Sequence, residues 1–298
     1  MTPGSDGCFL LVDGHACAYR AFFAIRHLNS PTGGPVNAIF GFIKSVLKLH
    51  GRLGCTHGAV VWDGGLAAER VAALPGYKAQ RPPMPAALGE QIDGMVEWLR
   101  AAGMNSLCRD GVEADDWIGG LAHQAEAAGR RVVIASPDKD FMQLVSPAIG
   151  LLHPNDKSEA VWTREQVRAR SGVEPGQIVD WLALVGDAVD NIPGVPGVGP
   201  KTAADLLGRL GSIEGIYERL AEVKSDRIRA ALESAREAVT RNVMMVRLRG
   251  EVAGTFELAA HAFREADAAA LAGLYERWGF RGLRRELEAA GTAQGELL

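Results

Sequence analysis

The stretch RVVIASPDKD, residues 131–140, begins as an apolar, β-branched run of strand length and ends on two acids, Asp138 and Asp140. CFLLVD (8–13) repeats the pattern and ends on Asp13, and AVVWD (59–63) ends on Asp63. IGLLH (149–153) reads as a further strand. Between these runs lie helical spacings. VNAIFGFIKSVLKLH (36–50) is one, and ALGEQIDGMVEWLRAAG (87–103) and DDWIGGLAHQAEAAG (115–129) each finish on a glycine stop signal. Short apolar strands alternating with helices predict an α/β fold with a mainly parallel central sheet flanked by helices. Ligands of such sheets bind at the carboxyl ends of the strands, where these acids fall.

After about residue 160 the pattern changes. TREQVRARSG, PGQIVDWLALVGD, PKTAADLLGRLGS and SDRIRAALESAREAVTRNVMMVRL read as successive helices, and clear strands stop. We therefore expect an α/β catalytic domain over 1–170 and a helical subdomain over 171–298. The latter ends in a small helical closure after about 262 and a polar tail, TAQGE, prone to fraying.

Bulk composition excludes several classes. The chain has 298 residues with 47% hydrophobic and 23% charged residues, ordinary for a globular protein. No apolar run approaches the roughly 20 residues of a membrane span. MTPGSDGCFLLVDG carries no basic region before its short apolar run, so it does not read as a signal peptide. The expectation is a cytoplasmic monomer without membrane contact. The four cysteines, Cys8, Cys17, Cys55 and Cys108, are scattered and read as reduced thiols. A net charge of −4 argues against indiscriminate nucleic-acid binding.

Further acids crowd together. GVEADDWIGGLA (111–122) opens a helix with Glu113, Asp115 and Asp116, and VGDAVDN holds Asp187 and Asp190. Taken singly, an Asp after a strand reads as a turn former, and Asp115 or Asp116 reads as a helix N-cap. The set is harder to explain that way, because two carboxylates about 6 Å apart repel by roughly 2.8 kcal/mol at an effective dielectric of 20. No run of Lys or Arg follows in 111–122, so a divalent cation is the natural counter-charge. All-oxygen ligands suit Mg2+ or Mn2+, and this many carboxylates suggest two ions, as in in-line phosphodiester chemistry.

Two other segments carry signals. GGLAAERVAALPGYKAQRPPMPA (64–86) is a long Gly/Pro-rich connection with Arg70, Tyr77, Lys78 and Arg81, the composition of a lid or binding loop. NIPGVPGVGPKTAADLL (191–207) sets Gly197 and Gly199 before a helix opened by Pro200, with Lys201 and Thr202 in its first turn. That order is the helix–hairpin–helix pattern, which grips a phosphate backbone without reading sequence. A Walker A loop is excluded by the glycine spacing.

Together LLVDGHACAYRAFF, VVWD, ERVAALPGYKAQRPPMP, GVEADDWIG, SPDKDFMQLV and VGDAVDNIPGVPGVGPKTAADLL resemble the 5′ nuclease family. That family includes the 5′-3′ exonuclease domain of bacterial DNA polymerase I, phage 5′ exonucleases and flap endonucleases. The resemblance spans at least 8–250, is very close for the polymerase I domain, and suggests a free-standing nuclease. It implies a PIN-like or resolvase-like fold followed by a helix–three-turn–helix subdomain.

By that resemblance Asp13, Asp63, Glu113 and Asp115 surround one metal. Asp116 lies between, and Asp138, Asp140, Asp187 and Asp190 form the second cluster. Residues 64–86 become the arch, with Lys78 and Arg81 on the scissile phosphate and Tyr77 stacked on a base. Tyr19, Arg20 and Arg70 lie near substrate, and the glycine hairpin holds duplex DNA and a K+ ion. The implied activity is 5′→3′ exonuclease and flap endonuclease action on DNA 5′ ends, flaps or gaps in replication and repair, with a separate DNA polymerase as a partner.

Three departures stand out: Phe23 where relatives commonly have His, Trp117 after the acid pair, and Trp62 in place of Phe. All three read as packing residues. Taking the nine acids away from the net charge of −4 leaves +5, so the remainder of the chain suits DNA. A DNA-binding module without catalysis would be expected to lack acids, and none is missing. A haloacid-dehalogenase-type phosphatase needs DxD after the first strand, where this chain has Asp13-Gly14-His15. A PIN-type RNase leaves the hairpin and lid unexplained.

Overall fold

A computed structural model describes residues 7–154, 158 and 160–295. In chain order the elements are β1 (Cys8–Asp13), α1 (Gly14–Ala24), α2 (Asn37–Leu53), β2 (His57–Trp62), α3 (Ala68–Ala73), α4 (Ala86–Ala101) and β3 (Ser106–Cys108). Then come α5 (Ala114–Ala127), β4 (Arg131–Ala135), β5 (Ile149–Leu152), β6 (Val161–Trp162), α6 (Arg164–Ser171), α7 (Ile178–Val185), β7 (Gly186–Asp187) and β8 (Ile192–Pro193). The chain continues through α8 (Pro200–Leu210), α9 (Ile213–Glu218), α10 (Asp226–Ser234), α11 (Arg236–Val246), α12 (Ala268–Trp278) and α13 (Arg281–Gly295). The strands are mostly parallel and flanked by helices, the expected fold class. Among the described residues no helix is long and apolar enough to cross a membrane.

The chain forms two compact units that interleave in sequence. The first comprises Met1–Trp62, Pro83–Cys108 and Glu257–Leu298. Its strands β1, β2 and β3 are parallel, with Val12 opposite Val60 and Trp62 opposite Cys108. β1 is buried along its whole length, as a continuous apolar run requires. Trp62 is core, stacked on Phe42 at 5.6 Å, and Phe42 in turn meets the edge of Trp98. Trp98 Nε1 donates to the Tyr275 hydroxyl at 3.0 Å, fastening α12 to α4. Gly14 is required for packing: a Cβ there would lie 2.7 Å from the Trp62 ring.

The second unit comprises Asp63–Pro82 and Arg109–Phe256. β4 and β5 run parallel and β6 returns antiparallel along β5. α5 lies close against the turn at 250–253, where a Cβ on Gly120 would come within 2.3 Å of the Gly250 carbonyl oxygen. α7 and α11 form the centre of the helical part. Asn242, fully buried, donates from Nδ2 to the Ala183 and Pro193 carbonyls at 3.0 and 2.7 Å.

Several expectations change. Strands do not stop at 160, since β6 and the two-residue pair β7–β8 follow. The long helical run at 225–248 is two helices broken at Ala235. Residues 104–112 contain β3, parallel to β2, so the chain is back at the strands' carboxyl edge by Cys108. Cys8 and Cys55 are joined as a disulfide instead of remaining thiols, with Cα atoms 4.6 Å apart. The β1–β2 register, Phe9 opposite His57, brings the starts of the two strands together and so places the two cysteines as neighbours. Of the TAQGE tail, residues 292–295 belong to α13, and Glu296 and the N-terminal residues 1–6 lie outside the described residues.

Candidate active site

Asp13 ends β1 in the first unit, and its Oδ1 accepts from the Ala16 N–H at 2.9 Å, capping α1. The other eight acids all belong to the second unit. Asp63 caps α5, its Oδ1 accepting from the Ala114 N–H at 2.9 Å. Asp138 caps the short 3-10 turn at 139–144 through the Asp140 N–H, also at 2.9 Å. Asp13 and Asp138 are thus side-chain N-caps, whereas Asp115 and Asp116 stand in the first turn of α5 behind Glu113, which occupies the N-cap position.

Glu113 and Asp116 have counter-charges that the local sequence does not display. Glu113 is 1% exposed, and both of its oxygens are engaged. Oε1 accepts from the Ala67 N–H at 3.0 Å and pairs with Arg70 at 3.2 Å. Oε2 accepts from the Tyr77 hydroxyl at 3.0 Å and from the Lys78 ammonium. Burial pushes the Glu113 carboxyl upward, but Lys78 and Arg70 outweigh it and hold the pKa below the ordinary value. Burial likewise opposes the charge on Lys78, and Glu113 outweighs it, raising the Lys78 pKa.

Asp116 was expected among the metal ligands. Its carboxylate is instead closed by a bidentate fork from Arg70, at 2.8 and 2.9 Å, and by the Arg249 N–H at 2.8 Å. Arg70 also donates to the Arg247 carbonyl at 3.0 Å. A carboxylate with both oxygens engaged in a buried fork acts as a strut joining α3, α5 and the 247–249 segment. Arg70, expected near DNA, is 3% exposed in this fork. Tyr77, expected to stack on a base, is 5% exposed here, with the Lys78 ammonium 4.9 Å from its ring centroid.

The lid tip at 76–81 is fastened to the loop carrying Asp190. The Lys78 N–H donates to the Asp190 carbonyl at 3.0 Å, Asn191 Nδ2 donates to the Gly76 carbonyl at 2.8 Å, and the Arg81 guanidinium pairs with the Asp190 carboxylate. Lys78 and Asn191, at φ 54° and 58°, are the only non-glycine residues with positive φ among the described residues. Left-handed backbone is uncommon outside glycine and clusters at functional sites, and here it marks both partners of the lid-tip contact. Gly186, at φ 78°, makes the turn into β7, where a Cβ would meet the Gly194 nitrogen at 2.3 Å. That tight β7–β8 pair presents Asp187, whose carboxylate lies 3.0 Å from Lys139 Nζ.

Asp138 and Asp140 are left short of positive charge. Burial, then Asp190 and Asp187, raise the Asp138 pKa. Burial, then Asp138 and Asp187, hold the Asp140 pKa well above the ordinary carboxylate value. Oδ1 of Asp140 is buried with no hydrogen-bond partner among the described residues. An orphaned carboxylate oxygen among acids is a donor set that fits a hard cation. Among the described residues no three His, Cys, Asp or Glu side chains stand together in metal-holding geometry.

Asp115 is half-buried in the first turn of α5. Trp117 is half-buried too, with the Arg109 guanidinium 4.9 Å from its ring centroid. Phe23 does not pack: it is 66% exposed. Tyr19 is half-buried and Arg20 exposed on α1. In the glycine hairpin, Gly197 has φ 80° and Gly199 precedes α8, whose first turn has no side-chain cap. Lys201 is exposed and Thr202 half-buried there, and Trp181 Nε1 donates to the Pro200 carbonyl at 3.1 Å, bracing the turn.

Comparison with known proteins gives a consistent result. The family model for the 5′-3′ exonuclease N-terminal resolvase-like domain matches residues 8–172, and that for the 5′-3′ exonuclease C-terminal SAM fold matches 173–269. A 5′-3′ exonuclease of Aquifex aeolicus is 41% identical over 223 residues, 75% of this chain and 76% of that protein. The thermostable DNA polymerase I of Thermus thermophilus is 38% identical over 280 residues, 94% of this chain but 33% of the polymerase. Among solved structures, T5 5′-exonuclease with bound zinc superposes with a TM-score of 0.68 at 20% identity, covering 91% of this chain and 99% of that one. The catalytic core of Rad2 with DNA substrate reaches 0.61 at 14% identity, over 91% and 87% of the two chains.

Proposed function

Since the chain belongs to the 5′-3′ exonuclease family, we propose that it is a divalent-metal-dependent, structure-specific 5′ nuclease that hydrolyses DNA phosphodiesters near 5′ ends and at flaps. The observation that carries the metal dependence is the orphaned Asp140 carboxylate beside Asp138 and Asp187, with both Asp138 and Asp140 raised in pKa by burial and mutual repulsion. Asp138, Asp140, Asp187 and Asp190 would hold divalent ions. Family likeness extends the set to Asp13, Asp63, Glu113 and Asp115. Mg2+ or Mn2+ suits all-oxygen donors, and when bound such ions activate water and stabilise the leaving 3′ oxygen.

The chain's own residues supply the rest. Lys78 has two possible partners, Glu113, which it holds here, and a phosphate oxygen of the substrate. Arg81 stands in the same relation to Asp190. Cations brought onto the phosphate as charge develops there act as electrostatic catalysts. Asp116 and Arg70 position α5 and the lid base. Gly197, Gly199, Lys201 and Thr202 would hold a duplex phosphate backbone at the start of α8, with a K+ ion at the hairpin. We assign nuclease chemistry to 1–170 and duplex binding to 171–298, in a cytoplasmic monomer working alongside a DNA polymerase.

The directional test uses a 5′-flap DNA labelled at either end, with Mg2+. Products should arise from the 5′ side and disappear when the 3′-labelled equivalent carries only a 3′ overhang. Lys78→Ala should lower kcat by about 100-fold or more, the scale for removing one transition-state donor. Equal cutting of 5′ and 3′ overhangs would remove the proposal.

A further inference from the structure

Phe23 is the one aromatic side chain among the strongly exposed large hydrophobic residues described, at 66% exposure. It sits in the last turn of α1, ten residues after Asp13, about 15 Å along the helix axis. α1 uses its other face for packing. Ala18 and Ala21 are buried, and a Cβ on Gly41 of α2 would lie 2.9 Å from the Ala21 Cβ, so the two helices are in close contact there. Phe23 is thus turned outward by a helix already anchored on its inner side.

Its neighbours make it a surface with defined geometry. Tyr19 lies one turn back at the i−4 position, its ring stacked with that of Phe23 at 6.4 Å and 23° between planes. Phe22 meets Phe23 edge-on at 5.2 Å, supporting it from the side. His15 is one further turn back, its ring edge-on to Trp62 at 5.4 Å. His15, Tyr19 and Phe23 therefore occupy one stripe of α1 leading away from the Asp13 carboxylate. The segment that carries the stripe is one-signed in sequence: residues 14–62 contain no Asp or Glu and include Arg20 and Arg26, although Lys44 on α2 pairs with Glu286 at 3.5 Å. Arg20 and Arg26 are exposed on either side of Phe23 in sequence.

We propose that Phe23, stacked beyond Tyr19, forms a base-stacking platform for an unpaired nucleobase of the DNA substrate, with Arg20 and Arg26 beside it for the adjoining phosphates. The inference rests on the nuclease reading above and adds a binding site to it. A flat exposed ring next to arginines suits any base face, since stacking is tolerant of sequence. With Tyr77 buried against Glu113 and Lys78, the platform on α1 supplies the aromatic surface that single-strand binding calls for.

The test is binding of fluorescent 5′-flap DNA in EDTA, where no cut occurs, to wild type, Phe23→Ala and Phe23→Trp. Phe23→Ala should bind about five- to ten-fold more weakly, the scale of one lost stacking contact, and Phe23→Trp should bind like wild type. Walking a single abasic site through the unpaired strand should weaken wild type at one or two positions and leave Phe23→Ala unaffected at those positions. Fully paired duplex should bind the three proteins alike. Equal flap affinity of Phe23→Ala and wild type, or a loss that persists with every abasic substrate and with duplex, overturns the platform and leaves the nuclease reading intact. A wild type that ignores unpaired DNA altogether overturns both.

Discussion

The contrast between Glu113 and Asp140 is between an acid that has been given partners and one that has not. Glu113 receives Lys78, Arg70, Tyr77 and a backbone N–H, while one oxygen of Asp140 receives nothing among the described residues. A carboxyl whose folded pKa is raised stabilises the fold only while protonated, so stability falls as pH rises from the ordinary carboxylate range through the raised value. Asp138 and Asp140 thus tax the metal-free protein at neutral pH. Asp140→Asn should unfold at a higher temperature than wild type in EDTA at pH 7, and the gap should close at pH 4. Mg2+ should raise the melting temperature of wild type more than that of the variant. A variant less stable than wild type in EDTA would refute this assignment of charge. The Arg70–Asp116 fork behaves oppositely. Arg70→Met strands two buried carboxylates and should cost about 3–5 kcal/mol in urea unfolding, whereas Arg70→Met with Asp116→Leu should recover part of that loss. Full additivity of the two changes would argue against a coupled pair.

At the scale of elements, the sequence reveals what its local pattern carries. Continuous apolar runs identify β1, β2, β4 and β5, because buried parallel strands need them. β3 escapes because Ser106–Cys108 is three residues long and not buried, and its place is set by β2. The break at Ala235 escapes because alanine favours helix and gives no stop signal. The acids at strand ends are legible, but their counter-ions are not. Arg70 and Lys78 come from a lid 35 to 46 positions upstream, so 111–122 read alone calls for a metal at every charge. Phe23 and Tyr77 exchange expectations for the same reason, since exposure follows from packing that spacing does not encode. α5, which carries Asp115 and Asp116 behind Glu113 at its N-cap, is placed by Gly120 against the 250–253 turn. Gly120→Ala should therefore displace the helix and destabilise the fold by about 1–3 kcal/mol in urea unfolding. It should also lower nuclease activity without removing any polar group. Unchanged stability and activity would show that α5 is placed by something else.

For the whole molecule, charge is sorted instead of averaged. A net charge of −4 conceals nine acids proposed for metal sites, without which the balance is +5. It also conceals a 14–62 segment with no acid at all. Cations on the substrate-facing residues attract a polyanion, and the acids need divalent ions before a phosphate can approach them. Binding and cutting should therefore separate when a metal-site acid is changed. The direct measurement mixes wild type or Asp140→Asn with 5′-labelled double-flap DNA, reads binding in EDTA, then adds Mg2+ and follows the product ladder. The account predicts similar binding by both proteins, release of the flap by wild type, and no product from the variant. A wild type that binds but stays silent across Mg2+ and Mn2+, or a variant that cuts as fast as wild type, would contradict it.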